Sequence, residues 1–219
     1  MKIKRNIPPN GVMMAKKIFA MTTDLSDELL MLRYREGDRL AFRELYSRHS
    51  KGLYLFIAWR SPRREWVDEI AQDSWANLHQ ARTRYEPQSS FRTYLFQIAR
   101  NRLIDLQRQH GQMVLASDLG NEGEDGAVFD HLADASHETA TPESALDQKQ
   151  QAAQLHQAIR ALPEEQREAL VLQQFNGMSL DEIAELTGVP AETVKSRLRY
   201  AMRKLRQQLE APVLEGERA

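Results

Sequence analysis

Residues 179–206 of the chain are Ser-Leu-Asp-Glu-Ile-Ala-Glu-Leu-Thr-Gly-Val-Pro-Ala-Glu-Thr-Val-Lys-Ser-Arg-Leu-Arg-Tyr-Ala-Met-Arg-Lys-Leu-Arg. Ser179 and Glu182 have the spacing of a capping box, which predicts that a short helix begins here. Gly188 predicts a tight turn, since glycine adopts positive φ without steric cost. Pro190 then favours the start of a second helix. Two helices joined by a tight glycine-containing turn form a helix-turn-helix, a motif typical of DNA-binding proteins.

The second helix of this motif has two chemically different faces. We expect one face to be apolar and buried, and it consists of Val194, Leu198, Ala201, Met202, Leu205 and Leu209. Between Lys195 and Arg206 the chain carries six basic residues and no acid. A solvated surface helix usually mixes charge signs at i,i+4 spacing, and this helix does not. Its 16 residues from 191 to 206 would span roughly 24 Å, enough to lie in a DNA major groove.

Composition and charge support a nucleic-acid partner and exclude several other classes of protein. Of the 219 residues, 42% are hydrophobic and none is cysteine, which excludes disulfides and thiolate zinc sites and fits a reducing cytoplasm. The net charge of the chain is only −1, but its charges are unevenly distributed along the sequence. Residues 1–23 carry a net charge of +5 and residues 113–147 a net charge of −9. No apolar run approaches the roughly 18 residues needed to cross a bilayer, so we expect a soluble, cytoplasmic protein.

Hydrophobic periodicity predicts an all-α fold of two helical domains joined by a flexible acidic linker. Residues 26–108 contain four helical patterns. Trp66, Trp75 and the stripe of Phe91, Tyr94, Leu95 and Ile98 are expected to be core. The last of these helices is predicted to stop near Gly111, and helices are predicted to return from Ala145. The predicted segments are a flexible basic extension at 1–23, a first domain at 24–112, the linker at 113–147, a second domain at 148–211 and a tail at 212–219.

Several other functions are disfavoured by missing motifs. The chain has no Gly-rich phosphate loop after a strand and no nucleophile elbow, and it has no zinc-protease motif, so we expect neither an enzyme nor a cofactor or metal site. A response regulator would need alternating strands and helices in its first half, which is helical throughout. A standalone helix-turn-helix regulator that binds duplex DNA stays open as an alternative, although no dimer stripe is evident.

Three blocks of sequence resemble the extracytoplasmic-function (ECF) group of the sigma-70 family, the promoter-recognition subunits of bacterial RNA polymerase. The segment Val67-Asp-Glu-Ile-Ala-Gln-Asp-Ser-Trp75 is similar to region 2.2 of that family. The segment from Phe91 to Arg108 resembles regions 2.3 and 2.4, and residues 162–170 and 179–205 resemble region 4. The resemblance implies a sigma factor that binds core polymerase and promoter DNA and directs transcription of a stress or signal regulon.

The resemblance also implies roles for individual residues. In the family, the region 2.2 helix binds the clamp helices of the polymerase β′ subunit, and region 4 adds a contact to the β flap. The β′ contact would fall here to Asp68, Glu69, Gln72 and Asp73. The family more often has Asp at the position of Glu69 and Glu at that of Asp73, so the side-chain lengths are exchanged but the charge is kept.

The minus-10 promoter element would be read as single-stranded DNA by the fourth helix and the loop before it. In the family a base is flipped out and held near this loop, which corresponds here to residues 85–90. Unstacking the base costs a few kcal/mol, which contacts in the pocket must offset. The implied phosphate and base-edge partners are Arg92, Arg100, Asn101, Arg102, Asp105 and Arg108.

The minus-35 element would be read as duplex by the second helix of the helix-turn-helix. The implied DNA-binding residues are Thr193, Lys195, Ser196, Arg197, Arg199 and Arg203. Many relatives carry Arg where this chain has Tyr200 and a basic residue where it has Met202, so its minus-35 preference is expected to differ. About five phosphate contacts would give a log–log salt slope near −4 to −5. Members of the family are commonly held inactive by an anti-sigma factor, so we expect one here.

Overall fold

The computed structural model describes residues 24–114 and 142–210, and every α-helix in these ranges falls into one of two groups. The N-terminal helical domain contains α1 (Asp27–Arg35), α2 (Arg39–Arg60), α3 (Glu65–Ala81), a short 3-10 turn (Arg82–Arg84) and α4 (Phe91–Val114). The C-terminal helical domain contains α5 (Pro142–Arg160), α6 (Glu164–Gln174), α7 (Leu180–Thr187) and α8 (Ala191–Glu210). The predicted basic extension, the central part of the acidic linker and the tail lie outside the described residues.

Local capping explains where the first helices begin. The Ser26 hydroxyl accepts a hydrogen bond from the Leu29 backbone N–H at 3.3 Å and caps α1. The Asp38 carboxylate accepts from the backbone N–H of Leu40 at 2.9 Å and caps α2. Each of these bonds satisfies one of the free N–H groups at a helix start, which typically stabilises the helix by about 1 kcal/mol.

The N-terminal domain is built around aromatic side chains on α2, α3 and α4. The rings of Phe56 and Phe96 lie 5.2 Å apart and both are fully buried. Trp66 and Trp75 are 6% and 8% exposed, so the prediction that they belong to the core is confirmed. Phe91 and Leu95 are completely buried as well, whereas Tyr94 and Ile98 of the same predicted stripe are partly buried and pack against this core. The core thus fixes the orientation of α3 and α4, which carry most of the N-terminal site residues.

The helix ends next to the linker lie about three residues from the predicted ones. Helix α4 continues past Gly111 to Val114, and α5 begins at Pro142 rather than at Ala145. One glycine inside a helix costs only about 1 kcal/mol and need not end it. Proline is well tolerated at a first helical position because the N–H that it lacks would have no helical partner there.

A charged cluster joins α1 to α2. The Arg48 guanidinium donates to the Asp27 carboxylate at 2.8 Å, and His49 Nε2 lies 2.7 Å from the second Asp27 oxygen. Burial, the largest influence, acts to raise the pKa of Asp27, but the hydrogen bonds and charges of His49 and Arg48 together outweigh it. The pKa of Asp27 is therefore lower than its usual value of 3.8.

We expect this cluster to make stability dependent on acid pH. A carboxyl whose folded pKa is depressed stabilises the protein above its unfolded pKa, and that contribution is lost as the pH falls through the folded pKa. Asp27→Asn should therefore cost about 1–3 kcal/mol at pH 7, where it removes a charge-assisted hydrogen bond. The free energies of unfolding of the two proteins should converge below pH 4 when measured by urea titration. Parallel curves from pH 7 to pH 3 would contradict this role of Asp27.

Candidate nucleic-acid interface

Helix α8 of the helix-turn-helix is held by the turn that precedes it. The capping box at Ser179 and Glu182 is formed in both directions, with bonds of 3.1 and 2.9 Å. Gly188 has φ +71° and its N–H donates to the Ala184 carbonyl, which ends α7 in the left-handed conformation expected for this turn. The short turn sets the direction in which α8 leaves α7.

One face of α8 is buried and the opposite face is open. Val194, Leu198, Ala201 and Leu205 are at most 7% exposed. Met202 and Leu209 were predicted to share this face, but neither is buried, since both are 48% exposed. The row of buried residues is narrow. Met202 lies beside this row, and Leu209 lies one turn beyond Leu205, its last residue.

The open face of α8 presents its basic residues to solvent. Lys195, Arg199 and Arg203 are exposed, and Thr193, Ser196 and Arg197 are half-buried at the edges of this face. The structure therefore places all six residues predicted to bind the minus-35 element on one helix, clear of its apolar seam. Such a row of cations on a 20-residue helix is an electrostatic match for a phosphate backbone.

Tyr200 lies among these cations and was not among the predicted DNA-binding residues. The guanidinium carbons of Arg199 and Arg203 lie 5.4 and 4.9 Å from its ring centroid. These are cation–π distances, and the ring remains 40% exposed. The signal in the sequence was an aromatic residue between two arginines at positions −1 and +3.

The acidic residues predicted to bind polymerase lie on α3. Asp68, Glu69 and Gln72 are exposed, and Asp73 is partly exposed. Arg102 of α4 bridges two of these acids, since Nη2 donates to Glu69 and Nε donates to Asp73, both at 2.7 Å. The sequence could not reveal this pairing, because the partners are about 30 residues apart in the chain and meet only when α3 packs on α4.

Three arginines predicted to bind the minus-10 element have partners within the protein. Besides Arg102, Arg92 donates to the Asn176 carbonyl at 2.7 Å, and Arg100 donates to Glu168 at 3.1 Å. The remaining three predicted residues, Asn101, Asp105 and Arg108, are exposed on α4. The structure brings all six onto α4 but leaves only the last three turned to solvent.

The loop before α4 is held in place by a hydrogen bond at each of its ends. Arg35 donates to the Tyr85 carbonyl at 3.1 Å, and Glu28 accepts from the Phe91 backbone N–H at 2.9 Å. Burial, reinforced by the negative charge of Glu28, raises the pKa of Tyr85 to about 12, so this phenol stays neutral.

The family relationship follows from comparison with known proteins. Residues 45–112 match the family model described as Sigma-70 region 2, and residues 152–205 match Sigma-70, region 4. The RNA polymerase sigma-H factor of Pseudomonas aeruginosa is 31% identical over 179 residues, which covers 81% of this chain and 91% of the relative. The chain therefore belongs to the sigma-70 family of RNA polymerase sigma factors.

Within that family the chain is an ECF sigma factor, a subunit that directs transcription initiation. The ECF RNA polymerase sigma-E factor of Haemophilus influenzae is 28% identical over 81% of this chain and 92% of its own length. The fold is similar to that of the sigma factor RpoE of Bartonella quintana, solved in complex with the anti-sigma factor NepR. That similarity has a TM-score of 0.60 at 22% identity and covers 78% of this chain and 98% of RpoE.

Proposed function

We propose that the two helical domains read the two elements of a bacterial promoter while the N-terminal domain binds core RNA polymerase. The observation that carries this proposal is the separation of charge between two faces. Cations line the open face of α8, whereas acids line the exposed part of α3. DNA and polymerase would therefore meet different surfaces of the same subunit, and the chemical reaction would belong to the polymerase in the cytoplasm.

The acidic face of α3 is proposed to contact the β′ clamp helices. Residues four apart on a helix lie one above the other, so Glu69 and Asp73 would act as a pair, with Asp68 and Gln72 beside them. The Asp68 carboxylate also interacts with the Tyr54 hydroxyl, whose pKa is raised by burial and by this acid.

The DNA contacts are proposed to divide into duplex and single-stranded recognition. Helix α8 would enter the major groove at the minus-35 element, with Lys195, Ser196 and Arg199 at base edges and Arg197 or Arg203 on phosphates. The loop 85–90 and α4 would hold the melted minus-10 strand. We propose the domain bounds 24–112 and 148–211 for these two functions.

An anti-sigma partner is also proposed. The RpoE structure of Bartonella quintana contains the anti-sigma factor NepR, and a second structure with a similar fold shows CnrH with the cytosolic domain of CnrY at 24% identity and a TM-score of 0.57. Two proteins with this fold are thus known in complexes with protein partners. We expect a protein of the same type to bind this chain.

The function is tested by transcription in vitro with sigma-free core polymerase, this protein and fragmented DNA of the source organism. Transcripts that start at a few discrete sites and share two upstream elements are expected. If the protein bound duplex DNA alone but produced no specific transcripts, a standalone regulator would replace the sigma factor as the proposed function.

At promoters identified in this way, Arg199→Ala should reduce minus-35 affinity by about 5- to 150-fold, corresponding to about 1–3 kcal/mol for a lost base contact. The loss should be much smaller on DNA with a scrambled minus-35 element. Arg206→Ala on the same helix is the matched control, because Arg206 is exposed and lies two turns further on. Equal losses on both DNAs, measured by fluorescence anisotropy, would assign Arg199 to the phosphate backbone instead.

A further inference from the structure

Tyr200 lies on the open face of α8, among the residues proposed to contact the minus-35 element. It is four positions after Ser196 and three before Arg203, and residues at these spacings are neighbours on one face of a helix. Tyr200 is 40% exposed. A large aromatic side chain is therefore presented to solvent on the surface that would meet the floor of the major groove.

Two guanidinium groups hold the ring of Tyr200 in place. The guanidinium carbon of Arg203 lies 4.9 Å from the ring centroid, and that of Arg199 lies 5.4 Å from it. A cation over an aromatic ring is attracted by the negative charge of the ring face. Because the guanidinium groups lie over the ring, its edge and its hydroxyl are the parts left open for a partner.

The residues already proposed for the minus-35 element do not provide for one chemical feature of the bases. Four of them are cationic and two carry hydroxyl groups: Thr193, Lys195, Ser196, Arg197, Arg199 and Arg203. Such groups suit the polar atoms of base edges and phosphates. Thymine also carries a 5-methyl group in the major groove, and apolar groups recognise it. Thr193 has a methyl group but is half-buried, so the exposed apolar surface at this level of α8 is the ring of Tyr200.

Met202 is a second exposed apolar residue beside these cations, but it points in a different direction. An α-helix turns about 100° per residue, so the side chains at positions 200 and 202 are about 160° apart around the axis of α8. Met202 lies beside the buried row of this helix and is 48% exposed. An apolar contact to a base at the centre of the open face therefore falls to Tyr200, and Met202 provides a matched control.

We propose that Tyr200 is a specificity-determining residue of this sigma factor and that it contacts the 5-methyl group of a thymine in the minus-35 element. Arg199 and Arg203 hold the ring with its edge toward the groove, and their N–H groups still face guanine or phosphate. The contact distinguishes thymine from the other bases at one position of the element. This inference rests on the proposed role of α8 in minus-35 recognition.

The test removes the methyl group from the DNA and the ring from the protein, separately and together. The probe is a promoter duplex identified by the transcription experiment, in which each thymine of the minus-35 element is replaced in turn by deoxyuridine. Deoxyuridine pairs as thymine does but lacks the 5-methyl group. Binding is measured with the complete chain assembled with core polymerase, and circular dichroism shows whether each variant folds.

In the parent protein, deoxyuridine at one position is expected to weaken binding about fourfold, which is the effect of one buried methyl group. Tyr200→Ala should weaken binding to the thymine duplex and abolish the fourfold difference at that position. Tyr200→Phe should keep the difference, because an apolar contact does not need the hydroxyl. Met202→Ala should keep it as well.

Equal weakening of thymine and deoxyuridine duplexes by Tyr200→Ala would mean that the ring only positions the two arginines, and the inference would be wrong. It would also be wrong if no thymine of the element showed a methyl effect in the parent, or if the element contained no A·T pair. Failure of the proposed function looks different: the parent holoenzyme would transcribe equally well after the whole minus-35 element had been replaced by unrelated sequence.

Discussion

Replacing Glu69 and Asp73 together by lysine is expected to weaken binding of core RNA polymerase by at least about 100-fold. Both carboxylates are solvent-accessible on α3, with side chains 49% and 41% exposed. Loss of one member of a charge pair that is buried and hydrogen-bonded in an interface typically costs 2–5 kcal/mol, and charge reversal adds repulsion from the partner's cations. Every 1.4 kcal/mol corresponds to a factor of ten in affinity.

This measurement uses labelled protein titrated with core polymerase and followed by fluorescence anisotropy. Glu69→Gln with Asp73→Asn gives a neutral variant that should fall between the parent and the double lysine, since it lacks the repulsion. The matched control is Glu36→Lys with Glu185→Lys, which changes the charge equally at exposed acids away from α3. If the control pair weakens binding as much as the α3 pair, polymerase senses only overall charge.

The second large effect is expected at Ile183, which is completely buried in α7. Ile183→Ala should cost about 2–5 kcal/mol through lost burial and the cavity left behind. Proteins have only roughly 0.05–0.15 kcal/mol of stability per residue, so a small helix-turn-helix unit has little reserve. We therefore expect minus-35 binding to be lost while polymerase binding through α3 persists.

Chemical unfolding and the two binding assays test this prediction together. Ile183→Val should cost only about 0.5–1.5 kcal/mol and keep minus-35 binding, which gives a graded series at one position. Leu209→Ala is the surface control, since Leu209 is 48% exposed. Equal loss of polymerase and DNA binding in Ile183→Ala would mean that the two domains unfold as one unit.

Local patterns in the sequence were sufficient to predict the helices and many of the buried core residues. Periodicity identified Trp66, Trp75, Phe91 and Leu95 as buried, because residues three or four apart in a helix lie on the same face. Periodicity did not predict the exposure of Met202. It gives the direction in which a side chain points, but not how wide a strip of the helix the neighbouring helices cover. The helix ends next to the linker were predicted only to within about three residues, because a single Gly or Pro is a weak stop signal.

The sequence predicted on which helix the residues of the proposed site lie, but not which groups they contact in the folded protein. The sequence placed Arg92, Arg100 and Arg102 on one helix among candidate DNA contacts. In the structure each of them binds a group that is distant in the chain, and two of these groups belong to the other domain. Such pairings depend on how helices pack, which no spacing within one helix encodes.

The bridge from Arg102 to Glu69 and Asp73 has a consequence for how any partner would bind there. Two exposed carboxylates on a helix would otherwise sample several rotamers, and fixing each rotamer-rich side chain at an interface costs about 0.5–1.5 kcal/mol. Arg102 fixes both in advance, so the ordering entropy is lost during folding and not during association. The guanidinium also cancels part of their charge at long range. The acidic pair is therefore preorganised for a partner that makes close contact and attracts distant cations only weakly.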